Sequence, residues 1–170
     1  MTTTVCETLG PTAIPDDGRL ELIATLPAGE LYSVALRWTH EFNGDLAFSL
    51  RAPGDSFATL FSALGGASAG GDLTLRDGFP ALTSADLVAS AAGPFGRADG
   101  ASTLLGFAFP QTSLAGNWTL AVNDASVGDT GTLDAATLCV LVDASPPPQL
   151  PPPPSPPPAH PPPPPKNELR

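Results

Sequence analysis

Reaction chemistry in this chain would have to come from few side chains. Gly54-Asp55-Ser56-Phe57 could present a serine hydroxyl at a tight turn. A serine becomes a nucleophile only beside a base that takes its proton. The two histidines are His40, within an apolar-alternating stretch, and His160, between prolines. Neither arrives with a recognisable partner, and a turn followed by a strand start accounts for the four residues equally well. Gly65–Gly71 and Gly93–Gly100 lack the lysine that a phosphate-binding loop requires, so they read as loops.

Binding chemistry has three further candidates. Oxygen ligands concentrate at Asp45, Asp124 and Asp129, with Asp16-Asp17-Gly18 as a weaker set. Calcium takes six to eight oxygens, and backbone carbonyls could complete its shell around those three carboxylates. The competing reading is aspartates that cap loop amides or face solvent, and no cofactor is required. Cys6 and Cys139 show no metal-type spacing. They are either two buried thiols or one disulfide tying the first segment to the last strand. A bond would imply an oxidising compartment and would stabilise by about 4–5 kcal/mol in the chain-entropy model. Asn117-Trp118-Thr119 is an N-glycosylation sequon.

The elements that must position these residues are strands. Tyr32, Val34, Leu36 and Trp38 alternate with polar or small neighbours, as do Leu46, Phe48 and Leu50, then Trp118, Leu120 and Val122, then Leu138, Val140 and Val142. A period of two marks half-buried strands. Shorter candidates are Leu20–Leu26, Phe57–Phe61, Leu73–Leu75 and Leu105–Phe109. Turn chemistry separates them at Pro27-Ala28-Gly29, Asn43-Gly44, Ala52-Pro53-Gly54, Gly65-Gly66, Asp77-Gly78 and Gly128–Gly131. Ala81–Ala101 reads as loop, with one helical turn near Ser84–Leu87. The pattern predicts an all-β antiparallel sandwich over residues 1–144, with Trp38, Phe48, Trp118 and Leu120 in one core between two sheets.

Composition narrows the class. The net charge is −10 and only 14% of the chain is charged, against about 25% in typical soluble domains. Nucleic acid needs clustered Lys and Arg and is excluded as a partner. No apolar run approaches the roughly 20 residues of a membrane span. Positions 1–20 hold no basic start followed by an apolar stretch, so the expectation is a chain whose secretory leader has already been removed.

From residue 145 onward the alternation stops. Fifteen of the 22 prolines fall between Pro146 and Pro165. Consecutive prolines have no amide donors and fix φ near −65°, which leaves polyproline II as the regular option. At ~3.1 Å per residue the segment would span roughly 60 Å, more than the roughly 40 Å width of a domain this size. Residues 145–170 are therefore expected to form a polyproline II tail projecting from the sandwich.

Three ordered blocks carry a resemblance. They are Ile14-Pro15-Asp16; His40-Glu41-Phe42-Asn43-Gly44-Asp45-Leu46 with Leu50 and Pro53-Gly54; and Gly116-Asn117-Trp118-Thr119-Leu120 with Val122, Asp124 and Gly128-Asp129-Thr130-Gly131-Thr132-Leu133. Across residues 13–142 their order and spacing resemble the P domain (Homo B), which follows the catalytic domain in proprotein convertases and many secreted proteases. One departure is Ala136, where the family usually has Trp. The resemblance implies an eight-stranded jelly roll, loop-bound calcium in some members, and a non-catalytic role. Gly54-Asp55-Ser56-Phe57 is superficially similar to the GDSL esterase motif, but that family also needs an Asp-x-x-His, and none is present. The tail resembles hydroxyproline-rich glycoproteins of plant and algal walls and matrix. That implies glycans at Pro152, Pro153, Ser155, Pro157, Pro162 and Pro163, alongside the Asn117 sequon. An unmodified linker, or a ligand for SH3-like modules, would fit the same composition.

These readings lead to a non-enzymatic extracellular structural glycoprotein, self-associating into a filament in which each polyproline rod docks on neighbouring subunits. The alternative is a P-domain-like accessory module joined by a proline-rich linker to a secreted protease or other enzyme.

Overall fold

The computed structural model describes residues 1–97, 108–109 and 115–143. Strands follow the alternating stretches: β1 (Thr2–Leu9), β2 (Thr12–Ile14), β3 (Arg19–Leu26), β4 (Glu30–His40), β5 (Leu46–Arg51), β6 (Phe57–Ser62), β7 (Gly71–Leu75), β8 (Gly116–Asp124) and β9 (Gly131–Asp143). A short helix, α1 (Ser84–Val88), interrupts them where one helical turn was expected. Thr83 and Asp86 form a capping box at its start, each side chain satisfying the other's backbone amide.

The strands make two sheets, and every strand pairing is antiparallel. One sheet runs β1-β9-β4-β7, with β2 also along β9; the other runs β3-β8-β5-β6. The chain passes repeatedly from one sheet to the other, which gives the jelly-roll type of sandwich. Nine strands are assigned among the described residues, where the resemblance implied eight. The extra one arises because β1 and β2 are two pieces of one edge along β9, broken at Gly10-Pro11.

Inward residues of both sheets meet in one core. Trp38, Phe48, Trp118 and Leu120 are all at most 2% exposed. The rings of Trp38, Phe48 and Phe61 cluster, with centroids 4.6–5.6 Å apart. Such aromatic pairs are worth about 0.5–1.5 kcal/mol each beyond area burial. Trp118 packs edge-on against Phe109 at 5.4 Å. Ala136, at the position of the family's Trp, is fully buried in this core.

Three expectations are corrected. Tyr32 does not share the inward face of Val34, Leu36 and Trp38. The pairing of β4 with β9 shifts register between Leu31 and Ser33; Tyr32 is the extra residue of this irregularity, so Leu31 takes the core position. A bulge breaks the period of two, which is why alternation misplaced the ring. The Leu105–Phe109 strand is not formed at Ala108 and Phe109, its described part; residues 105–107 lie outside the described residues. β1 is absent from the alternation because its inward residues, Val5, Glu7 and Leu9, include a carboxylate.

That carboxylate has a defined task. Glu7 Oε2 accepts the Thr25 amide at 2.6 Å. Thr25 lies in β3, the edge strand of the opposite sheet. An unpaired edge amide is an invitation to aggregation, and here it is capped from across the sandwich. Cys6 and Cys139 face each other across β1 and β9 and are bonded, with sulfurs 2.08 Å apart. The proline-rich segment, its expected polyproline II rod, and the glycan positions Pro152, Pro153, Ser155, Pro157, Pro162 and Pro163 lie outside the described residues.

Candidate functional site

The strongest concentration of polar chemistry lies at one end of the sandwich. Strand registers bring His40 beside Gly131, Gly131 beside Ile14, and Leu46 beside Asp124. Ile14–Asp16 of the first block, His40–Leu46 of the second and Asp124 with Gly128–Leu133 of the third thus meet in a single loop cluster, while Pro53-Gly54 and Gly116-Asn117 lie toward the other end of the sandwich.

At its centre His40 and Asp124 form a pair whose side chains are fully buried, Nε2 to Oδ2 at 3.2 Å. The Phe42 amide donates to His40 Nδ1 at 3.2 Å. Nδ1 also lies 3.0 Å from the Phe42 carbonyl oxygen, so Nε2 faces the carboxylate while Nδ1 faces both backbone groups of Phe42, donating to the carbonyl in one tautomer and accepting the amide in the other. Asp124 Oδ1 also accepts the Ser126 amide at 3.2 Å. Next to this pair, Trp38 Nε1–H donates to Asn43 Oδ1 at 2.9 Å. Asn43 Nδ2 in turn donates to Ser68 Oγ at 3.0 Å and to the Gly70 carbonyl at 2.6 Å. A buried polar network satisfied to this degree fixes one arrangement of its loops.

Two glycines make room for these rings. A Cβ on Gly71 would collide with the Trp38 indole, and one on Gly131 with the Thr39 carbonyl and the His40 ring. Around the rim, Glu41 Oε2 accepts the Thr130 amide at 2.8 Å, and Asp16 Oδ1 accepts the Gly128 amide at 2.8 Å. The Asp45 carbonyl accepts the Ala125 amide at 3.0 Å. Asp45 therefore ties its loop through its backbone carbonyl.

This arrangement holds loops together. Both His40 nitrogens face fixed partners, so neither is left to relay a proton to a nucleophile. Ser56 lies at the other end of β5, in the hairpin turn Ala52–Ser56, beside an exposed Arg51–Asp55 pair at 3.6 Å. The turn with strand start is what the structure places there. Among the described residues, no three His, Cys, Asp or Glu side chains converge on a point that could hold a metal. Asp124 and Asp16 act as amide acceptors. Glu41 was missed by sequence reasoning; its place between His40 and Asn43 was the available signal.

The network makes a measurable prediction. Asp124→Asn keeps the shape but removes the charge facing His40, and hydrogen bonds to charged groups are worth about 1.5–3 kcal/mol. A loss of that size is expected in urea unfolding at neutral pH. An unchanged midpoint would show that the pair is dispensable.

Asn117 lies on β8 at the opposite end of the sandwich. It is exposed, and its Oδ1 accepts the Thr25 hydroxyl at 3.0 Å. Expression through a eukaryotic secretory pathway should give a protein whose mass falls on N-glycosidase treatment. Asn117→Gln should abolish that fall. Equal masses before and after treatment of the wild-type chain would refute modification at this sequon.

No protein-family model and no curated protein matches the chain. Solved structures do. The chain is similar to the serine protease of Aeromonas sobria, with a TM-score of 0.53 and 17% identity over 83% of this chain. It is also similar to a chain in the complex of that protease with the chaperone ORF2, with a TM-score of 0.52 and 17% identity over 83% of this chain. In both cases the match spans 27% of the other chain's length. At this identity the likeness is one of fold.

Proposed function

We propose that this chain is a non-catalytic accessory module of the P-domain type that works beside a secreted serine-protease domain, with the proline-rich segment as its linker. The observation that carries this reading is the fold likeness to about a quarter of a serine protease, obtained for a chain in which parts of all three P-domain-like blocks meet in one loop cluster. The module's part would be to offer a rigid, pre-assembled face for packing rather than to supply reacting groups. The Cys6–Cys139 bond supports an extracellular setting, and no helix among the described residues is long and apolar enough to cross a membrane.

Sedimentation of the full chain tests this reading against the filament reading. An accessory module should sediment as a 17.2 kDa monomer at every concentration. Polymers that lengthen with concentration, seen as fibres by electron microscopy, would overturn it in favour of a filament subunit. A second arm replaces the matching segment of the Aeromonas sobria protease by residues 1–143 of this chain. Secreted peptidase activity above that of the deletion is expected, and activity no better than the deletion would count against a protease-packing role.

A further inference from the structure

Tyr32, the chain's only tyrosine, stands at the register shift near the start of β4, half-buried at the rim of the five-stranded sheet. Arg76, directly after β7, lays its guanidinium over that ring at 4.0 Å and lies 5.8 Å from the ring of Phe79. Phe79 is 41% exposed, and Pro80 beside it is exposed as well. Among the described residues Arg76 is in no ion pair. An arginine within cation–π reach of two rings, one of them open to solvent, is the composition of a binding hot spot.

The same end of the same sheet is where the proline-rich segment departs. β9 ends at Asp143, and its last residues run beside the start of β4, with Leu141 opposite Glu30 and Val140 opposite Leu31. The aromatic cluster lies three to four residues back along the strand and two strands across, roughly 15 Å from Asp143. Five extended residues cover about 16 Å, so Pro148 already reaches it. The blocks Pro146–Pro148 and Pro151–Pro154, joined by Gln149-Leu150, fall within range.

Polyproline chemistry suits this cluster. A polyproline II backbone makes no internal hydrogen bonds, so its carbonyls remain acceptors for guanidinium and phenol donors. Its apolar rings stack on aromatic faces, and its fixed φ lowers the entropy lost on docking. We propose that Tyr32, Arg76 and Phe79 form a docking site for the chain's own segment Pro146–Pro154, which lies against its sandwich as polyproline II while the later prolines extend beyond it. Tethering favours this occupant: a short linker gives an effective concentration in the millimolar range, above any concentration of a second copy. The inference stands independently of whether the sandwich accompanies a protease.

The single tyrosine makes the test direct. In the full chain with ¹³C-labelled proline, nuclear Overhauser contacts are expected from the Tyr32 ring to proline side-chain protons. They should keep their relative intensity over a tenfold dilution. They should vanish when the seven prolines at 146–148 and 151–154 are changed to serine, a variant that leaves Pro80 in place as an internal control. Arg76→Ala and Phe79→Ser, each checked for an intact amide spectrum, should weaken or abolish them. Contacts other than those to Pro80 that survive the proline changes would overturn the proposal, as would contacts that fade on dilution, which mark a second copy. Indifference to both Arg76→Ala and Phe79→Ser would exclude this cluster as the site.

Discussion

Replacing Cys6 and Cys139 together by serine lowers the unfolding free energy by about 4–5 kcal/mol. The bond closes a loop of 133 residues, nearly the whole described fold. Most of its stabilisation is chain entropy removed from the unfolded state, so the native sheet should survive the change with its register intact. Urea unfolding gives the value: with a slope of about 2 kcal/mol/M the midpoint should fall by roughly 2 M. Reductant should bring the wild type to the same midpoint, and a fall under about 0.5 M would show that β1 is held by its ladder alone.

The second large effect is at the tryptophans, and the two should behave differently. Trp118→Ala should cost about 3–5 kcal/mol, since the indole is fully buried against Phe109. Trp38→Ala removes a comparable volume from the Phe48–Phe61 cluster. The phenylalanine variants separate them. Trp118 Nε1 has no acceptor among the described residues, so Trp118→Phe loses packing but no hydrogen bond. Trp38→Phe strands the buried Asn43 oxygen, which adds about 1–3 kcal/mol. Equal costs for the two phenylalanine variants would show that the Trp38–Asn43 bond contributes nothing net.

The alternation at Leu46–Leu50 and Trp118–Val122 was legible because each residue on those strands keeps to one face. It failed at Tyr32, where one inserted residue flips the sides, and nothing local in Leu31-Tyr32-Ser33 announces the insertion. It failed at β1 because Glu7 points inward to meet an amide 18 residues away. Gly131, the first residue of β9, read as turn because Gly128–Gly131 carries turn chemistry, and only its pairing with both His40 and Ile14 draws it into the sheet. The loop cluster was legible in its parts and illegible as a whole. His40 and Asp124 are 84 residues apart, and their meeting follows from sheet topology that spacing does not encode.

The pairing of the first strand with the last also sets a timetable. At ribosomal rates of about 5–20 residues per second, the 133 residues between the cysteines take roughly 7–27 s to appear. Throughout that interval the Cys6 thiol has no mate within the chain. The chain contains no third cysteine, so every premature oxidation must be with another molecule. β9 is similarly the centre of its sheet, touching β1, β2 and β4, and that sheet cannot assemble until its final residues are made. A nascent sandwich of this topology should therefore close late and in one step.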